Sequence, residues 1–380
     1  MKNQRFIFFS VVLIVATVAV SFKFFSNTNS FEELPLEKIK LPDGFKIEIY
    51  ARVPNARSMV LSENGTLFVG NRSEDNVYAV QDTDGDMVAD KTYIIDKGLK
   101  MPNGVALKDG DLYVAAVSKI LKYKNIEANL ENPPKPEVIY DSYPTETHHG
   151  WKYIAFGPDG LLYVPVGAPC NICYRDDNPI YASITRIDVD NPKPEIVAEG
   201  IRNTVGFDWD PKTGKLWFTD NGRDMMDDDT PPCELNVITE DKQHFGYPFC
   251  HGGTILDPEF GPGKSCDDYT APALNFIAHT APLGMNFYEG EMFPESYDNR
   301  IFVAQHGSWN RSKKSGYVVM AVDHDDASAS NAEVFASGWL DDDTQKAWGR
   351  PVDVINMPDG SILISDDYAD VVYRVSYVGN

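Results

Sequence analysis

One short pattern recurs six times along this chain, and it limits the fold more than any other feature of the sequence. A turn rich in Asp, Gly, Pro or Asn precedes an apolar, often aromatic triplet. The copies are Glu63-Asn64-Gly65 before Leu67-Phe68-Val69, Lys108-Asp109-Gly110 before Leu112-Tyr113-Val114, and Pro158-Asp159-Gly160 before Leu162-Tyr163-Val164. The pattern returns as Thr213-Gly214 before Leu216-Trp217-Phe218, Asp298-Asn299 before Ile301-Phe302-Val303, and Pro358-Asp359-Gly360 before Ile362-Leu363-Ile364. Gly and Asn supply the backbone freedom that tight turns need, and β-branched and aromatic residues favour strands. Helical periodicity is almost absent after residue 40. Successive triplets begin 45, 50, 54, 85 and 61 residues apart, close to the spacing of four-stranded propeller blades, with two intervals enlarged by insertions. The expected fold is therefore all-β, a six-bladed β-propeller over residues 41–380, with the triplets on inner strands and long loops on blades four and five. A β-sandwich is a poorer match to six regular copies. The last copy offers three strands, near 352–356, 362–365 and 371–376, so residues 45–50 are expected to add the fourth and close the ring.

Composition sets the compartment and removes one class of partner. With 43% hydrophobic and 24% charged residues, a chain of this length buries a large core. Lys2 and Arg5 precede a nearly unbroken apolar run at 6–22, followed by Lys23 and a polar stretch. This reads as an export signal, a cleaved peptide or a retained anchor at 1–25, with a linker at 26–40. The remainder is expected to work in the periplasm or as a secreted protein, tethered to the membrane if the anchor stays. A formal charge of -23 without a basic face excludes nucleic acid as a partner. In an oxidising compartment the five cysteines are expected to pair as Cys170 with Cys173 and Cys250 with Cys266, leaving Cys233. Tyr174, not His, follows Cys173, so the segment is no c-type haem site.

Several loop segments carry polar residues that a propeller does not need for folding. Thr147-His148-His149-Gly150 offers an imidazole as general base, and on an extended chain adjacent side chains point to opposite sides, so one of the two should face the channel. Gly200-Ile201-Arg202-Asn203-Thr204, His306-Gly307-Ser308-Trp309-Asn310-Arg311 and Gly349-Arg350-Pro351 combine cations with hydrogen-bonding groups, and Arg72 follows the first triplet. Arginines at equivalent blade positions in so acidic a chain point to a shared anion, unless each pairs with a local Asp. Asp82-Thr83-Asp84-Gly85-Asp86 with Asp90 sets carboxylates at alternate positions around a Gly turn, as either a peripheral Ca²⁺ loop or a solvated turn.

Together with Gly246-Tyr247-Pro248-Phe249-Cys250-His251-Gly252-Gly253 and Ala281-Pro282-Leu283-Gly284-Met285, these segments resemble the sorbosone dehydrogenase family of pyrroloquinoline-quinone (PQQ) dependent six-bladed propellers. The resemblance runs from about Leu41 to the C-terminus and extends more distantly to the soluble quinoprotein glucose dehydrogenases. It implies oxidation of an aldose or related sugar aldehyde, with electrons leaving to a separate periplasmic acceptor. By the same resemblance His149, rather than His148, takes the general-base position, and Arg202 and Asn203 line the sugar and quinone pocket. Arg350, with Arg72, His306 and Arg311, would hold the PQQ carboxylates. Backbone carbonyls of Gly222 and Arg223 would bind a cofactor-linked Ca²⁺. Two other readings stay open: a calcium-dependent lactonase-type hydrolase, which needs carboxylates and amides around a channel metal, and a propeller that binds without catalysis.

Overall fold

A computed structural model of the chain describes residues 33–379. The expected signal or anchor at 1–25 and residues 26–32 of the linker lie outside the described residues. The chain joins the domain before residue 41, since Leu36–Lys38 forms a 3₁₀ turn and Lys40 exchanges backbone hydrogen bonds with Ser337, at 2.8 and 3.1 Å.

From there the described residues build five four-stranded antiparallel sheets and a sixth in which a short parallel strand joins four antiparallel ones. Blade one runs Met59–Leu61, Leu67–Val69, Asn76–Gln81 and Lys91–Lys97 from the axis outward, and blades two to five follow the same meander. Blade six takes Pro351–Asn356, Ile362–Asp366 and Val371–Tyr377 from the C-terminal end and Phe45–Arg52 from the N-terminal end. That closing strand pairs antiparallel from Phe45 opposite Tyr377 to Arg52 opposite Val371, so the two ends of the domain are tied by one ladder.

Each repeated triplet forms the second strand from the axis, an inner strand but not the innermost one. The reason is visible in the two faces of that strand, whose side chains alternate. Phe68 packs forward against Leu112 and Val114 of blade two, Tyr113 against Leu162 and Val164 of blade three, and Tyr163 against Leu216 and Phe218 of blade four. Trp217 packs forward on Val303 of blade five, and Leu363 meets Leu67 and Val69 of blade one. The central residue of a triplet thus fills one inter-blade layer while its flanking aliphatics fill the other. Full burial of a side chain of this size contributes about 1.5–3 kcal/mol, and the layers lock the ring.

Carboxylates on innermost strands add directional links between blades. Asp353 accepts the Met59 amide at 2.9 Å, and Asp208 accepts the Phe287 amide at 2.9 Å and the Asn286 side chain at 2.8 Å. The largest insertion lies in blade four, between Cys233–Val237 and Leu274–Phe276. It lends Gln243–His244 as a parallel fifth strand to blade three and carries the Cys250–Cys266 disulfide. The other pair is Cys170–Cys173, and Cys233 is free and buried. The interval between blades five and six holds a small hairpin, Leu340–Asp341 with Lys346–Ala347.

In such a meander the links between second and third strands emerge on the same face as the links from one blade to the next. Every loop singled out for its polar residues, except the Asp82 loop, sits on one of these two link types, while the Gly246–Gly253 motif lies in the insertion between the third and fourth strands of blade four. The site is therefore assembled from loops that the ring brings to one end of its axis.

Candidate functional site

At that end lies a cavity of about 480 Å³, with walls drawn from all six blades. His149, Arg202, Asn203, Gly222, His306, Arg350 and Arg72 all line it. His148 lines it as well, against the expectation that only one of the two imidazoles would. His149 has a left-handed φ of 50°, so the chain here is a turn and not an extended strand, and the two rings lie on one side with centroids 4.1 Å apart.

His149 is 8% exposed, and its Nδ1 lies 2.8 Å from the Ala168 carbonyl. A carbonyl only accepts, so Nδ1 carries the hydrogen and Nε2 holds a lone pair. Burial, with the Arg202 charge adding to it, pushes the His149 pKa well below the ordinary value. The ring is therefore neutral at neutral pH, with one nitrogen fixed and the other free to accept a proton. Close packing holds it in place, because a Cβ on Gly167 would come within 2.6 Å of the His149 Cβ.

The four cavity-lining guanidinium groups, Arg57, Arg72, Arg202 and Arg350, differ in what holds them. Arg202 is committed to protein: Nε donates to the Asn171 carbonyl at 2.8 Å, Nη2 to Asn171 Oδ1 at 2.8 Å and to Asp224 at 3.1 Å, and Nη1 to the Asn221 carbonyl at 3.1 Å. The amides of Arg202 and Asn203 both donate to the buried carboxylate of Asp220, at 2.8 and 2.6 Å. Burial raises the pKa of Asp220, and that of Glu234 paired opposite it.

Arg350 donates only to main-chain carbonyls, those of His306 at 3.0 Å and Gly307 at 2.7 Å. Arg72 has its guanidinium 3.9 Å from the Trp151 ring centroid. Neither forms a salt bridge with a carboxylate of the described residues. Burial lowers the Arg72 pKa to about 10, with the Arg57 charge adding to it, which leaves the group cationic at neutral pH. Two cations are thus held in place by carbonyls and a ring, with charge to spare for a ligand.

Three placements were not foreseen. Arg57, 1% exposed, pairs with Asp367 at 2.5 Å and with Asn103 at 2.7 Å. Asp367 also receives His306 Nε2 at 2.7 Å. Burial outweighs that carboxylate and lowers the His306 pKa to about 4, so His306 faces the cavity as a neutral imidazole and not as a cation for a carboxylate. Trp151 completes the wall beside His149, their ring centroids 6.1 Å apart. Arg57 could have been found from its position, since Ala56-Arg57-Ser58 enters blade one as Gly349-Arg350-Pro351 enters blade six. Trp151 and Asp367 gave no such signal.

Some expected residues do not join the cavity. Arg311 turns outward to Asp229, at 2.6 Å, and to the Asp228 carbonyl. The Arg223 side chain pairs with the buried Asp257 at 2.5 Å, where His251 also binds at 3.0 Å, so of the expected calcium carbonyls only that of Gly222 belongs to a lining residue. Carboxylate oxygens of Asp82, Asp84 and Asp86 lie within 4.8 Å of one another, while Asp90 is engaged by the Thr83 hydroxyl at 2.7 Å. That loop joins the third and fourth strands of blade one, on the face opposite the cavity.

Fold and site together define a six-bladed propeller whose axial cavity is cationic inside an acidic chain. The family model described as TrAA12-like matches residues 39–376, and the chain belongs to that family. An uncharacterised protein of Borreliella burgdorferi is 33% identical over 99% of each chain. A pyrroloquinoline quinone-dependent pyranose dehydrogenase of Coprinopsis cinerea is 24% identical, with 76% of this chain matching 45% of that protein. The holo form of its PQQ domain superposes with a TM-score of 0.74 at 17% identity, covering 89% of this chain and 97% of that one. A calcium structure of the Trichoderma reesei family AA12 enzyme superposes with a TM-score of 0.80 at 19% identity, covering 92% and 99%.

Proposed function

We propose that this chain oxidises an aldose or related sugar aldehyde with PQQ and Ca²⁺, outside the cytoplasm, and passes the electrons to a separate acceptor. The observation that carries this reading is the pair Arg72 and Arg350, two cations that face the cavity without a carboxylate of their own. The donor set suits a flat polycarboxylate, with guanidinium groups on several sides and the Trp151 face beside them. The dehydrogenase names of the Coprinopsis relative support the same class of chemistry, and two disulfides support an oxidising compartment.

When bound, PQQ supplies an ortho-quinone that takes up the two electrons of the sugar carbon. The chain supplies the remainder. Arg72 and Arg350 bind and orient the carboxylates, while Arg57 is paired with Asp367 and fixes that carboxylate against His306. The Gly222 backbone would hold Ca²⁺. Nε2 of His149 receives the hydroxyl proton of the sugar, and the Ala168 carbonyl stabilises the imidazolium through Nδ1–H. Arg202, rigid in its cage of carbonyls, sets a fixed positive charge where negative charge develops. Asn203 offers its side-chain amide to substrate hydroxyls.

A lactonase-type hydrolase would need several carboxylates around a channel metal, whereas Asp224 is the one carboxylate among the lining residues, and it is bonded to Arg202. The decisive experiment reconstitutes purified protein with PQQ and Ca²⁺ and follows quinone absorbance and reduction of an artificial dye by a panel of aldoses. Dye reduction abolished in His149→Ala with the absorbance change retained is the expected result. Binding without turnover by any aldose would sink the reading in favour of a non-catalytic propeller, and PQQ-independent lactone hydrolysis in favour of a hydrolase.

A further inference from the structure

Trp309 is 65% exposed on the cavity rim, while the other tryptophans of the chain are buried or half-buried. Its exposure is not a sign of a loose loop. His306 and Gly307 donate their amides to the Ala281 and Thr280 carbonyls, both at 2.9 Å. Ser308, 1% exposed, exchanges bonds with Ser315 and receives the Tyr317 hydroxyl at 2.7 Å. On the other side Ser312 donates to Asp228 at 2.9 Å. A rigid loop therefore holds a large indole in water, at a cost in hydration that folding gives no reason for.

A second aromatic ring accompanies it. Tyr368 is 61% exposed on the equivalent loop of blade six, with its amide pinned to Asp366 at 2.9 Å. The two loops are tied to each other, because His306, three residues before Trp309, contacts Asp367, the residue before Tyr368, at 2.7 Å. Two exposed rings thus rise from joined, stiff loops beside the cavity mouth. Flat aromatic faces that lose little entropy on contact suit the C–H faces of pyranose rings, which are apolar while their edges carry hydroxyls. Asp229, 81% exposed at its side chain beside Arg311, offers a hydroxyl acceptor on the same loop system.

We propose that Trp309 and Tyr368 form a saccharide-stacking platform that holds the second and later rings of an oligosaccharide whose terminal ring enters the cavity. The inference deepens the sugar-oxidising reading and rests on it for the cavity's occupant. The test titrates the intact protein, with and without PQQ and Ca²⁺, with gluco-oligosaccharides of one to five rings, α-1,4 and β-1,4 linked. Affinity is read by calorimetry and by indole fluorescence. The expected result is a rise in affinity of up to about tenfold from one ring to three, lost in Trp309→Ala, reduced in Tyr368→Ala and largely restored in Trp309→Phe.

Affinity independent of chain length overturns the platform, as does a length effect that survives in the double alanine variant. Length-independent binding combined with slower reduction of a cationic redox protein by Trp309→Ala also overturns it, and assigns the rings to protein docking. Oxidation of single aldoses without any length effect leaves the dehydrogenase reading standing and removes the platform alone. Length-dependent binding without oxidation of any aldose does the reverse.

Discussion

At the scale of single residues, the candidate site depends on how neighbours set each group's charge and aim. His149 is neutral well into acid because burial and the Arg202 charge disfavour its protonated form. The acid limb of kcat/KM is therefore expected below the ordinary histidine range, and a pH profile of dye reduction checks it. His149→Ala should lower kcat by about 10²–10⁴-fold. A subtler variant isolates aim from chemistry: in Gly167→Ala the new methyl would press on the His149 Cβ, so activity should fall while the thermal transition remains cooperative. Arg350→Met removes a cation that no protein carboxylate uses, and PQQ affinity should drop by about 10- to 100-fold in a binding titration. His149, Arg202 and Arg350 were legible as residues, since fixed charge and imidazole are conspicuous in loops. The neutrality of His306 was not, because it depends on burial that no sequence position displays.

At the scale of elements, loops that look independent in sequence act as clamps. The Cys170–Cys173 turn is the clearest case: Asn171 within it receives Arg202 at two atoms, accepts the Asp224 amide at 2.8 Å and donates to the Asp224 carbonyl at 3.0 Å. Opening the turn with a Cys170→Ser, Cys173→Ser double substitution should lower kcat more than it raises KM for sugar, with melting nearly unchanged. Loss of sugar affinity alone would instead make the turn part of the substrate wall. The spacing of the two cysteines announced a bridge, but nothing announced that the bridge supports an arginine thirty residues later, because that contact spans two blades. Similarly, the two triplet faces were visible as strand character, yet the direction in which each aromatic packs is set by the neighbouring blade.

At the scale of the whole molecule, the ring converts local repeats into one axial cavity and buries carboxylates along its inner strands. Asp353, 1% exposed, is raised to about 7 by burial. An unfolded Asp releases its proton near pH ~3.9, so the folded state binds more protons between these values. The stabilisation tied to this group is fully present below the unfolded value and is lost as pH rises through about 7. The melting temperature of Asp353→Asn should accordingly be lower at pH 5, where a bond to Met59 or Val354 weakens, and should vary less between pH 5 and 8. The His306 shift has the opposite sign, its contribution lost as pH falls from about 6.5 towards about 4. What the sequence determined by itself is the repeat, and with it the blade number, the closing strand and the loops that carry charge. These are local periodicities, and strand alternation and turn chemistry enforce them wherever they occur. The tertiary structure alone decided which of those charges meet. Arg72 and Arg350 gather with His149 while Arg311 turns away to Asp229, because convergence on an axis depends on distances between blades that are remote in sequence.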